Sequence, residues 1–141
     1  MIHVTRKTMI RAPADAIWQV ISDFGATCGY LVGVMDCTVK GAGVGARRTL
    51  TNADGSTIIE RLEALDQDAH RLSYALLTDT PFGGCLTTVA VHDLGPVLAE
   101  LSWSASFEAD GLPASEAADL LEGALAANCA ALKQFMEAGG S

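Results

Sequence analysis

The strongest constraint on the fold is an alternating strand followed by a long amphipathic helix at the end of the chain. Across residues 99–108 apolar side chains occupy every second position, while serine and glutamate fill the positions between them. The segment 113–138 then repeats apolar side chains at helical spacing. Because each apolar face must be covered, the simplest arrangement packs the helix across a sheet. The helical stripe consists of Leu121, Leu125, Asn128, Leu132 and Phe135.

Turn signals divide the rest of the chain into short elements. A strand at residues 2–11 leads to Pro13, which can open a helix at its first turn. The glycine-punctuated stretch 23–32 predicts a second short helix or a loop. Short connections between the later strands favour an antiparallel meander. We predict those strands at residues 34–40, 46–51, 57–65, 72–78, 86–93 and 97–107.

These elements together predict an α+β fold. About seven antiparallel strands form a curved sheet that grips the long C-terminal helix, and two short helices follow the first strand. The length of 141 residues, half of them hydrophobic, suits one domain that spans residues 1–141. The sequence leaves the oligomeric state open, a homodimer included.

Charge and hydropathy exclude several kinds of partner. Nine basic residues oppose seventeen acidic ones, and no basic cluster extends beyond Arg47 and Arg48. Nucleic acids and anionic membrane surfaces both require clustered positive charge, so neither is an expected partner. The first residues lack the apolar core of a secretory peptide, and no apolar stretch is long enough to span a membrane. We therefore expect a cytoplasmic protein.

The cysteines and histidines do not form a recognisable metal site. Cys28, Cys37, Cys85 and Cys129 lie far apart and form no CxxC pair, so the sequence favours buried free thiols. The three histidines lack the spacing of zinc ligands. We expect neither a metal nor another cofactor.

One carboxylate stands out because it falls on an apolar strand face. Glu60 shares its predicted face with Ile58 and Leu62. If residues 53–55 form a three-residue hairpin loop, Arg48 on the preceding strand lies opposite Glu60. An inward ion pair either lines a hydrated cavity or holds the structure together at a rim, and both interpretations remain open. We take Glu60 and Arg48 as the candidate catalytic residues.

Other polar or aromatic side chains are also predicted to face inward. Tyr74 alternates with two leucines, and Asn128 interrupts the apolar helix stripe; a buried polar group needs a partner or a wet cavity. Core packing with satisfied hydrogen bonds is the alternative for both, and core packing is favoured for Trp103. The candidate ligand-contacting residues are Tyr74, Asn128, Tyr30, Leu31, Cys85, Thr87, Ile58 and Trp103.

Several segments of the chain resemble the SRPBCC superfamily, nearest to its small bacterial polyketide cyclase/dehydrase group. The resemblance implies a Bet v 1 or START-like helix-grip fold. It places Glu60, Tyr74 and Asn128 at or near positions that line the ligand pocket of plant abscisic-acid receptors. Those receptors carry a lysine near Leu31, so a carboxylate ligand is not implied. The matching segments are 10–18 (IRAPADAIW), 23–25 (DFG), 33–39 (GVMDCTV), 45–50 (GARRTL) and 60–66 (ERLEALD).

Two functions fit these features. In the first, the chain is a cyclase or dehydratase in which Glu60 removes a proton next to a carbonyl, and Arg48, Tyr74 and Asn128 stabilise the enolate. In the second, the chain is a carrier or sensor that binds a small apolar or polyketide-like molecule without chemistry. The sequence favours the enzyme, on the analogy with the family.

Overall fold

The computed structural model describes residues 1–31 and 33–139. Over those residues there are two α-helices, together with a single 3-10 turn at Thr27–Gly29. The helices are α1 (Ala14–Ser22) and α2 (Ala114–Glu137). The strands are β1 (Ile2–Ile10), β2 (Val34–Lys40), β3 (Arg47–Asn52), β4 (Thr57–Asp66), β5 (Arg71–Leu76), β6 (Phe82–Gly95) and β7 (Leu98–Ala109).

The seven strands form one antiparallel sheet in the order β1-β7-β6-β5-β4-β3-β2. Strands β2 to β7 follow one another as a meander, and β1 pairs with β7. The predicted helix-grip fold is confirmed. The second short helix amounts to a single 3-10 turn, because the segment between α1 and β2 folds back against β2.

Strand β6 begins earlier than the sequence predicts. Residues 81–84 have the composition of a turn, yet Phe82 and Gly83 pair with Ala109 and Glu108 of β7. The register shifts between Gly83 and Leu86, where Gly84 adopts a φ of 60°. A glycine in a strand often marks such a bulge, so the turn signal here belongs to an irregular strand.

Helix α2 packs mainly on one side of the sheet, over β1 and β7. Its buried face carries Leu125, Cys129 and Leu132, and Leu132 is completely enclosed. Polar contacts fix the helix to β1: Arg6 pairs with Glu122 at 2.6 Å, and other α2 side chains reach the end of the strand. Because α2 lies over β1 and β7, at one side of the sheet, a space remains between the helix and strands β3 to β6.

The structure corrects the expectation for two of the cysteines. Cys28 and Cys37 form a disulfide, with Cα atoms 5.8 Å apart, and Cys28 lies at the surface. Cys85 and Cys129 are free and buried, as predicted. The pair was missed because the two residues meet only when the loop after α1 folds onto β2. Within residues 1–31 and 33–139, no helix is long and apolar enough to cross a membrane.

Candidate functional site

The space between α2 and the inner face of β3 to β6 is a cavity of about 330 Å³. Most predicted site residues line it: Arg48, Glu60, Tyr74, Asn128, Leu31, Cys85, Thr87 and Ile58. Sequence reasoning missed further wall residues, although several of them share a strand face or helix stripe with the predicted ones. They are Val34, Leu50, Asn52, Leu76, Thr80, Phe82, Leu121, Ala124 and Leu125. The wall is largely apolar, with its ionic pair on β3 and β4.

The Arg48–Glu60 pair forms where the hairpin register predicts it. The backbone N–H of Asn52 donates to the Ser56 carbonyl at 2.8 Å, and Gly55 adopts a φ of 86° in the three-residue loop. This loop sets Arg48 directly opposite Glu60. The predicted pairing is confirmed, and both side chains point into the cavity wall.

The two carboxylate oxygens of Glu60 have different surroundings. Arg48 Nε donates to Oε1 at 2.8 Å, and Arg48 Nη2 lies 2.8 Å from the same oxygen. Within the part of the chain that the structure describes, no protein group donates to Oε2. The Glu60 side chain is 13% exposed, so Oε2 is accessible from the cavity.

Arg48 is held firmly by the protein. Its Nη1 donates to Thr27 Oγ1 at 2.7 Å and to the Phe24 carbonyl at 3.3 Å, while Cζ lies 4.0 Å from the centre of the Phe24 ring. Burial by itself lowers the pKa of the guanidinium more than any other single cause, but the Glu60 charge, the two nearby tyrosines and the hydrogen bond to Glu60 together leave the pKa raised, so Arg48 stays charged. Arginine has five N–H donors and these hydrogen bonds occupy three, so the two that could turn to a ligand are both on Nη2, the nitrogen that also faces Glu60.

Tyr74 supplies a neutral hydroxyl to the same wall. Its Oη accepts a hydrogen bond from Trp103 Nε1 at 3.2 Å, which leaves its own O–H free to donate. Burial raises the pKa of this phenol far above its ordinary value, and the Glu60 charge adds to the rise. Tyr74 is therefore a hydrogen-bond donor and not a phenolate.

Trp103 does not line the cavity, contrary to its place among the predicted ligand contacts. It lies on β7, where α2 covers the sheet directly, and it is 2% exposed. Its contact with the site is the hydrogen bond to Tyr74. Trp103 thus orients a wall residue and has no ligand-facing surface of its own.

Tyr30 also lies outside the cavity wall. The chain turns after the 3-10 helix, so the ring packs against Phe135 of α2 with centroids 6.1 Å apart. Tyr30 lines a separate groove of about 350 Å³ beside α1. Burial raises the pKa of its hydroxyl. Its neighbour Leu31 does reach the cavity, while Val32, the next residue, lies outside the described residues.

The remaining polar wall residues differ in how they are satisfied. Cys85 Sγ lies 3.8 Å from Thr87 Oγ1, and burial raises the pKa of the Cys85 thiol, which favours its neutral form. Asn128 is half-buried on α2, and the structure shows no protein hydrogen bond to its amide among the described residues. The cavity therefore offers a ligand an acceptor at Glu60, a donor at Tyr74, and both kinds of group at Asn128.

This arrangement occurs in a chain with many structural relatives. The sequence profile described as "Polyketide cyclase / dehydrase and lipid transport" matches residues 1–137. The protein XoxI from Bacillus cereus is 26% identical over the whole of both chains, with a TM-score of 0.89. The Zhui aromatase/cyclase from a Streptomyces species shares the fold at 20% identity, with a TM-score of 0.74 over 99% of each chain. Because the profile matches nearly the whole chain, the chain belongs to the polyketide cyclase/dehydrase and lipid transport family.

Proposed function

We propose that the chain is a cofactor-independent enzyme that cyclises or dehydrates a small, largely apolar, oxygenated molecule in the cavity. The observation that carries this proposal is the unshared Oε2 of Glu60, which opens onto an apolar wall while Arg48 fixes the other oxygen. An oriented carboxylate at the wall of an apolar cavity is suited to general-base catalysis. The cavity of about 330 Å³ lies at the small end of ligand sites, which favours a compact substrate.

In the proposed reaction, Glu60 Oε2 takes a proton from a carbon next to a carbonyl group. The electron pair moves onto the carbonyl oxygen, where the Tyr74 hydroxyl and the Asn128 amide stabilise the enolate. The enolate carbon then forms a bond to a second carbonyl carbon of the same molecule, and Glu60 returns its proton to the new alkoxide. In a dehydration, Glu60 removes a proton from the carbon next to the carbonyl, the enolate electron pair forms the C=C bond as the neighbouring C–O bond breaks, and the departing hydroxide takes the proton from Glu60 to leave as water.

Arg48 has a narrower role in this proposal than the sequence indicates. Its contacts to Glu60, Thr27 and Phe24 hold the guanidinium in place, so we assign it to positioning Glu60, with only the N–H groups of Nη2 left for the enolate oxygen. This geometry explains why Tyr74 and Asn128 carry most of the proposed stabilisation.

A carrier or sensor of a small hydrophobic molecule is the second candidate. The observation that favours it is the charge balance of the site, since Arg48 and Glu60 neutralise each other in a wall that is otherwise uncharged. Such a wall accepts a neutral apolar ligand without reacting with it. We further propose that the protein acts in the cytoplasm as one domain.

Deuterium exchange into 2-tetralone, a compact apolar ketone, tests the proposed base. We expect the protein to accelerate exchange at the carbons next to the carbonyl, and Glu60→Gln to slow that exchange by about a hundredfold or more. Glu63→Gln is the matched control, because Glu63 pairs with Arg61 on the outer face of the same strand. It should leave the rate unchanged.

Each other result has a defined meaning. Exchange that survives Glu60→Gln would show that Glu60 is not the base. The carrier would be favoured if 2-tetralone bound without accelerated exchange and if polyketide-like ketones, incubated with the protein, were recovered unchanged.

A further inference from the structure

The segment 24–31, here called the cap segment, connects the surface to the charged pair. Phe24 and Thr27 bind the Arg48 guanidinium from one side. Four residues after Thr27, Leu31 lines the cavity. A displacement of the cap segment would therefore act on Arg48, and through it on Glu60, as well as on the cavity wall.

Two features bring the cap segment against β2. The first is the disulfide between Cys28 and Cys37. The second is a close approach at Gly25, where a Cβ atom would come within 2.8 Å of Val39 Cγ1. The absence of a side chain at Gly25 only allows the two backbones to lie close together. The disulfide is the bond that holds them there.

We propose that Cys28 and Cys37 form a reversible redox site whose disulfide holds the cap segment closed over the cavity. In the oxidised state the segment stays against β2, with Thr27 on Arg48 and Leu31 in the cavity wall. Reduction removes the fastening, so the segment opens more often and a bound molecule leaves faster. This inference rests on the proposed binding of an apolar molecule and not on catalysis by Glu60.

The surroundings of the two sulfurs suit reversible thiol exchange. Cys28 is at the surface, while Cys37 is half-buried and its Sγ receives the backbone N–H of Cys28 at 3.3 Å. That donor stabilises negative charge on Cys37 when it leaves as a thiolate. The Gly25 carbonyl lies 3.1 Å from Cys37 Sγ, so it is an acceptor at hand for the Cys37 thiol that reduction produces. Both states thus have local hydrogen-bond partners.

The exchange balances with a small dithiol as reductant. A thiolate of the reductant attacks Cys28 Sγ, the Cys28–Cys37 bond breaks, and Cys37 leaves with the electron pair and takes up a proton. The reductant's second thiolate then attacks the reductant sulfur that is bonded to Cys28 Sγ. That bond breaks, and Cys28 leaves as a thiolate. The protein gains two electrons and two protons, and the dithiol becomes a cyclic disulfide. Disulfides of cytoplasmic proteins are usually of this transient or redox-sensing kind.

Amide hydrogen exchange tests the fastening without any ligand. We expect dithiothreitol to speed exchange in residues 24–31 by about tenfold or more, while the buried strands remain protected. Cys28→Ser/Cys37→Ser should show the fast exchange with or without reductant. Cys129→Ser, which removes a buried free thiol, should respond as the wild type does. Unchanged exchange after complete reduction, verified by thiol labelling, would overturn the proposal.

The consequence for the cavity is measured with 2-naphthol as the probe. We expect its dissociation rate to rise about tenfold on reduction of the wild type, within the usual range of coupling between sites. The double serine variant should dissociate fast in both conditions. Equal rates in oxidised and reduced protein would overturn control of the cavity by the pair. If segment exchange responds but the probe binds neither state, the proposed function fails while the redox site stands.

Discussion

A double-mutant cycle on Arg48 and Glu60 measures how strongly the inward pair couples. The two side chains are 5% and 13% exposed, so most of their solvation is lost. Removing one partner of a buried pair usually costs about 3–5 kcal/mol, because the other charge is left uncompensated. The access of Glu60 to the cavity reduces this penalty. For Arg48→Met we therefore expect a loss of about 2–4 kcal/mol in the free energy of unfolding.

The double variant Arg48→Met/Glu60→Met should recover part of that loss, because neither charge then remains unpaired. Urea unfolding followed by far-UV circular dichroism gives all four free energies. We expect a coupling energy of about 2 kcal/mol, within the range for residues in direct contact.

The Arg61–Glu63 pair is the control for this cycle, since its side chains are 37% and 33% exposed on the outer face of the sheet. Pairs of that exposure contribute about 0–1 kcal/mol. If both cycles gave the same coupling within about 0.5 kcal/mol, the inward pair would not be desolvated as its geometry indicates.

Two further predictions concern α2. The pKa of Glu137 is lowered from 4.5 to about 2, mainly because Lys133 donates a hydrogen bond to its carboxylate. The ionised carboxylate therefore stabilises the fold above pH 4.5, and this contribution is lost as the pH falls towards 2. Glu137→Gln should therefore lower the urea midpoint at pH 7, and the difference from wild type should shrink between pH 4.5 and 2; a constant difference would contradict the assigned contacts. Leu132→Ala should cost about 2–5 kcal/mol, because Leu132 is completely buried, whereas Leu120→Ala at a position 54% exposed should cost far less by the same unfolding assay. Similar losses at both positions would be inconsistent with the way α2 packs.

Local sequence rules predict the part of the site that lies within one hairpin. The loop at residues 53–55 determines the register, and the strand period of two determines the face, so the amino-acid sequence alone is enough to pair Arg48 with Glu60. The same period places Tyr74 inward. These features depend on residues close together in the chain.

The features that were missed depend on contacts between distant segments. Periodicity places Trp103 on the inner face of the sheet. It does not show that α2 covers β7, and so buries Trp103, while it leaves β3 to β6 open to the cavity. Tyr30 turns towards Phe135 because of the path of the loop after α1, which no periodic pattern describes. The Cys28–Cys37 pair likewise requires that loop to fold onto β2.

A crystal structure of the protein with 2-tetralone tests the proposed site most directly. We expect the ketone in the cavity, with its oxygen at hydrogen-bond distance from Tyr74 Oη or the Asn128 amide. A carbon next to the carbonyl should then lie about 3–3.5 Å from Glu60 Oε2, as a reacting pair requires. Ketone bound instead in the groove beside Tyr30, with the cavity unoccupied, would contradict the assignment of this cavity as the functional site.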